Sequence, residues 1–170
     1  MQKEKCGLIA AFDVPTPKDA LDFLARLDGA VQHIKIGPRL YAMGGTAFVK
    51  EVMATGCDVF LDLKLHDIPN TVAQAVEPLA DLGLWAMTLH TSGGREMMAR
   101  AAAARDKAGS KTKLLGVTVL TSLAGEIWDE VHPACDIDKA LVGRAKAAEA
   151  AGLDGIVCSP RDLELLSGTA

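Results

Sequence analysis

The chain has 170 residues, 49% hydrophobic and 24% charged, an ordinary balance for a globular domain with a sizeable core. A formal net charge of −4 without a block of like charges excludes the basic stripe needed to neutralise a nucleic-acid backbone. Apolar runs are only a few residues long, and MQKEKCGLIAAFD meets an acid too soon for a signal-peptide core, so neither membrane insertion nor export is indicated and a cytoplasmic location is expected.

In chain order, β-type runs occur at LIAAF (8–12), HIKI (33–36), CDVFLDL (57–63), WAMTLH (85–90), KLLGVTVL (113–120) and GIVCS (155–159), each followed by a stretch that reads as helix. Helical spacing of apolar residues is plain in LDFLARL (21–27), REMMARAAAARDKAG (95–109) and IDKALVGRAKAAEAAG (137–152). Thr16-Pro17-Lys18-Asp19 and Ser159-Pro160-Arg161-Asp162 each offer a capping hydroxyl, a proline at the first helical position and an acid at the third. Gly109 and Gly152 suit helix C-termini, and an extra segment, LAGEIWDEVH (123–132), widens the interval before the sixth strand.

Strand runs that are apolar on both faces imply a parallel sheet covered by helices, either an open doubly wound sheet or a closed barrel. No GxGxxG follows the first strand, which weakens the dinucleotide-binding open sheet. A closed barrel requires eight βα units and typically about 250 residues, about 200 at the short end, whereas six units are countable here. The expected fold is an incomplete (β/α)8 TIM barrel, a single partial domain over 1–170 that stops inside its sixth helix and lacks its last two units. Cys6, Cys57, Cys135 and Cys158 share no CxxC spacing and have no histidine pairs at zinc-finger distance, so they are expected to be reduced.

Charges near strand ends concentrate in one place. FLDLKLHDIPNT carries Asp62, Lys64 and Asp67, while Asp13 and Lys35 close the first and second strands. Residues two apart on a strand share a face, so Asp62 and Lys64 are expected to project together, with Asp67 in the loop before a helix starting near Pro69 or Asn70. The carboxyl ends of barrel strands carry the chemistry, although the same charges would also serve as inter-strand ion pairs or solvated loop residues. Alternation of sign favours the ammonium form of Lys64, which suits a general acid. His66, His90, Ser92-Gly93-Gly94 and the hexapeptide SPRDLE (159–164) read as structural, though SPRDLE sits where a substrate contact is open to it.

FDVPT (12–16), IKIG (34–37), DLKLHDIPNTV (62–72), LHTSGG (89–94), GVTVLTS (116–122) and GIVCSP (155–160) resemble, in order, the motifs of the orotidine 5'-phosphate decarboxylase family, in its bacterial style. The resemblance implies decarboxylation of orotidine 5'-monophosphate to UMP in pyrimidine biosynthesis, without a cofactor or metal. It implies a catalytic network of Lys35, Asp62, Lys64 and Asp67, in which Lys64 protonates C6 of the pyrimidine and Asp62 lies against the departing carboxylate. Asp13, Ile68, Thr71 and Thr121 or Ser122 are implied substrate-binding residues. A homodimer is implied as well, Asp67 and Thr71 serving the neighbouring subunit's site.

The same resemblance places the phosphate-gripping arginine and its mobile loop in the seventh and eighth units, so little or no activity is expected from these 170 residues alone. Two alternatives stand beside it. One is a magnesium-dependent phosphosugar decarboxylase or hexulose-phosphate synthase of the same suprafamily, with Asp62 and Asp67 as oxygen ligands; the IPNT continuation argues against it. The other is a non-catalytic truncated barrel serving as a dimerising or ligand-binding module, which retention of all four charges fits less well.

Overall fold

A computed structural model describes residues 7–123 and 125–167, and in it strand and helix alternate, apart from two successive helices before the last strand. The strands are β1 (Ile9–Phe12), β2 (His33–Ile36), β3 (Asp58–Leu65), β4 (Ala86–His90), β5 (Lys113–Val117) and β6 (Gly155–Val157). The helices are α1 (Pro17–Leu27), α2 (Pro38–Ala54), α3 (Pro69–Ala80), α4 (Gly94–Lys107), α5 (Glu126–Val131), α6 (Ile137–Ala150) and α7 (Leu163–Ser167). The strands follow chain order in the sheet, β1-β2-β3-β4-β5-β6, the connectivity of a (β/α)8 barrel through its sixth strand. Cys6 lies outside the described residues.

Local chemistry explains most element boundaries. Thr16 Oγ1 accepts the Asp19 N–H and Asp19 Oδ2 accepts the Thr16 N–H, both at 3.1 Å, so α1 starts at Pro17, ahead of the apolar run that announced it. Gly109 and Gly152, at φ +64 and +80, follow α4 and α6 as left-handed stops. β5 and β6 end earlier than their apolar runs. Beyond β5 the backbone turns at Thr118, whose hydroxyl donates to Val157 O at 3.0 Å; beyond β6, Ser159 caps a 3-10 turn at Pro160–Asp162. β3, by contrast, runs two residues past its predicted end and takes in Lys64.

The chain divides into two compact units, Met1–Leu63 with Leu84–Ala86, and Lys64–Gly83 with Met87–Ala170. In the first, β1 pairs parallel with β2 and β2 with β3, and Ile34, Ile36, Leu40, Val49, Val52, Val59 and Leu61 are fully buried. Each such side chain contributes about 1.5–3 kcal/mol on removal from water. Helix α2 is broken at Gly45, which sits at φ +56.

In the second unit α3 packs closely on α4, and Val76, Met97, Met98 and Ala101 are without exposure. β5 pairs parallel with β6, and Asp154, just before β6, accepts the Leu114 N–H at 2.8 Å and the Arg105 guanidinium. The extra segment before α6 is pinned by Trp128, 3% exposed, whose indole N–H donates to Cys135 O at 2.5 Å. Arg144 lies 5.4 Å over that ring and donates to Thr118 O at 2.8 Å; burial lowers the pKa of its guanidinium.

Two outcomes follow from this packing. A methyl at Gly116 would stand 2.7 Å from Thr91 Cγ2 and 3.0 Å from Leu153 Cδ1, so Gly116→Ala should lower unfolding free energy by about 1–3 kcal/mol, read from urea denaturation. Burial, followed by the charge of Asp162, raises the Cys158 thiol pKa, leaving less thiolate near neutral pH; native alkylation mapped by mass spectrometry should label exposed Cys135 well before Cys158.

Candidate active site

Parallel register places the first pair of charges. Lys35 pairs with Phe60 across β2 and β3, and partners in a parallel ladder share a face. Asp62, two residues past Phe60, returns to that face, and Lys35 Nζ meets Asp62 Oδ2 at 3.2 Å. The Asp62 side chain is 9% exposed and that of Lys35 34%, so a nearly buried carboxylate is paired with a partly exposed cation. Asp13 directly follows β1, whose Phe12 pairs with Ile36, and is exposed at the same carboxyl end.

At the other end of β2, His33 Nε2 lies 3.6 Å from Asp58 Oδ2 and its ring packs edge-on against Trp85 at 4.6 Å. Charges at the amino ends of barrel strands read as serving stability, and this pair stands at the end of β2 opposite to Lys35.

In the second unit, Lys64 occupies the left-handed region at φ +53, a conformation uncommon for a residue with a long side chain. Period-two alternation presumes extended backbone, so it carries through Leu63 and stops there. The Lys64 N–H donates to Thr88 Oγ1 at 2.9 Å, and Thr88, in the middle of β4, has no exposure. The rings of His66 and His90 stand 5.3 Å apart, tilted by 45°. A side chain at Gly93 would press on the end of the Met97 side chain, with His66 Cδ2 3.1 Å away, so the first glycine of the SGG motif sits in a close-packed spot where Met97 would have to shift.

Asp67 lies in the turn before α3, exposed, with Oδ1 accepting the Ile68 N–H at 2.6 Å; α3 starts at Pro69 as expected. Ile68 is 67% exposed, large for an isoleucine, and Thr71 beside it is exposed too. Thr121 and Ser122 occupy an exposed turn after β5, where Thr121 lines a cavity of about 340 Å³ with Leu141, Ser159, Arg161 and Asp162. A larger hollow of about 560 Å³ runs along α6, β6 and α7, is mostly apolar, and lies beside the sheet rather than at strand ends. The smaller cavity follows the ends of β5 and β6, but none of Lys35, Asp62, Lys64 or Asp67 lines it.

Of the residues singled out from sequence, Lys35 and Asp62 are in direct contact. Thr88 was missed; its signal was a hydroxyl inside the fully buried part, AMTL, of the strand AMTLH. Among the described residues no group of three or more His, Cys, Asp or Glu side chains is placed to hold a metal ion.

Comparison with known proteins gives a family match over residues 7–168, to the orotidine 5'-phosphate decarboxylase / HUMPS family. The chain is similar to orotidine 5'-phosphate decarboxylase of Opitutus terrae, 48% identical over 93% of this chain and 69% of the relative, and to that of Laribacter hongkongensis, 44% identical over 94% and 65%. It therefore spans about two thirds of the length of these curated relatives. The crystal structure of orotidine 5'-phosphate decarboxylase from Lactobacillus acidophilus superposes with a TM-score of 0.88 at 32% identity, covering 96% of this chain and 77% of that one. The six βα units are thus those of an incomplete TIM barrel.

Removing the cation from Asp62 leaves a nearly buried carboxylate without its lysine. Lys35→Met is expected to lower unfolding free energy by about 1–3 kcal/mol at neutral pH, measured by urea denaturation against the unmodified chain.

Proposed function

The chain belongs to the orotidine 5'-phosphate decarboxylase / HUMPS family, and on that premise we propose that it carries the reacting charges of an enzyme converting orotidine 5'-monophosphate to UMP without a cofactor. The observation that carries the reading is the run DLKLHDIPNT together with the Lys35–Asp62 pair at the carboxyl ends of β2 and β3.

In the reaction the bond from C6 to the carboxylate breaks, carbon dioxide leaves, and the electron pair stays on C6. Lys64 then gives a proton from its ammonium group to C6 and becomes a neutral amine. A fixed ammonium stabilises charge developing at C6 more than it stabilises the carboxylate farther away, so its binding is differential and lowers the barrier. Asp62 faces the carboxylate that leaves, and repulsion between the two anions disappears with carbon dioxide.

Lys35 and Asp67 fix Lys64 and contact the ribose; Asp13 and Thr71 bind ribose, Ile68 borders the substrate, and Thr121 or Ser122 bonds the pyrimidine edge. Asp67 and Thr71 act in the partner subunit's site of a homodimer, a role that their exposure supports. The 170 residues form a single partial barrel domain, and the protein works in the cytoplasm on a small nucleotide.

The test follows the ultraviolet change of orotidine 5'-monophosphate with a metal chelator present. It uses this chain as it stands and the chain extended with the corresponding C-terminal part of the Opitutus terrae relative. Turnover by the extended chain that survives chelator and falls by about 10²-fold or more in Lys64→Ala supports the reading. A folded extended chain that turns nothing over, or a Lys64→Ala variant with full activity, would overturn it.

A further inference from the structure

We infer that Thr88 is a positioning residue for Lys64, its buried hydroxyl holding the lysine's backbone in the left-handed turn that aims the ammonium group; this rests on the reading of Lys64 as the proton donor. Three observations converge. Lys64 stands at φ +53 within β3, where long L side chains rarely go and where persistence requires the surroundings to hold the conformation. Its N–H donates to Thr88 Oγ1 at 2.9 Å, a contact between residues 24 apart in the chain. Thr88 itself has no exposure and stands among buried Ala86, Met87 and Leu89, where a hydroxyl is costly unless it is used.

The consequence is geometric. In an extended strand the direction of a side chain is dictated by alternation; a residue turned into the left-handed region is aimed by whatever holds its backbone. A proton donor loses rate steeply when misplaced by a fraction of an ångström, while substrate binding through other groups is little affected. Valine has nearly the shape of threonine and lacks the hydroxyl, and serine keeps the hydroxyl and loses a methyl, so the two substitutions separate hydrogen bonding from packing.

The experiment compares the unmodified 170-residue chain with Thr88→Val and Thr88→Ser. It measures exchange of the Lys64 backbone amide and the Lys64 Cα chemical shift by NMR, then, with the same substitutions in the extended chain, kcat and KM for orotidine 5'-monophosphate. In Thr88→Val the Lys64 amide should exchange about ten-fold faster with its Cα shift altered, the amides of Met87 and Leu89 unchanged, and Thr88→Ser restoring both. Where turnover is measured, kcat should fall about ten- to a hundred-fold in Thr88→Val at constant KM, with recovery in Thr88→Ser.

Unchanged Lys64 exchange in Thr88→Val, or equal losses in the valine and serine variants, would overturn the assignment by making Thr88 a packing residue. If Thr88→Val does not fold, Thr88→Ala against Thr88→Ser carries the same comparison. The amide measurement needs no turnover, so a folded extended chain that never decarboxylates counts against the proposed function and leaves the Thr88 anchor to be decided by exchange alone.

Discussion

Parallel register between β2 and β3 is the constraint on which the candidate site depends. Because Lys35 pairs with Phe60 and Asp62 lies two residues on, both charges leave the sheet on one face and meet at 3.2 Å. A slip of one residue would send them to opposite faces and bury a carboxylate with no cation beside it. The apolar residues on either side resist such a slip, since Ile34, Ile36, Val59 and Leu61 are all without exposure and would have to trade places with charged neighbours.

In the second unit hydroxyl groups carry out a comparable task in apolar surroundings. Thr91 donates to Val117 O at 2.9 Å, Thr118 donates to Val157 O at 3.0 Å, and Thr88 accepts the Lys64 N–H. All three are buried. Each ties the end of one strand to a neighbouring strand, where regular ladder bonding runs out and backbone groups would otherwise want water. Threonine fits such positions because its branched carbon packs like valine while its oxygen completes the bond.

A rigid frame of this kind lets irregular conformations survive at strand ends. The left-handed Lys64 is costly in isolation and persists in the run DLKLHDIPNT, on which the proposed chemistry rests. The stabilising hydrophobic packing is spread through helices and strand interiors, and the charges of the proposed site stand at a few positions toward the strand ends.

What could be read from sequence alone was whatever depends on near neighbours: alternation of strand and helix, the capping box at Thr16, the glycine stops at Gly109 and Gly152, and the start of α3 at Pro69. These arise from periodicity and side chain to backbone bonds within a few residues, so a linear string contains them. The run DLKLHDIPNT also made the proposed reacting charges legible, because they are contiguous in the chain. Other features required residues distant in sequence to meet. The Lys35–Asp62 contact depends on strand register, and the partner of the Lys64 amide lies 24 residues away on another strand. The left-handed turn at Lys64 runs against local preference, and such a conformation is settled by tertiary contacts that no short stretch of sequence encodes.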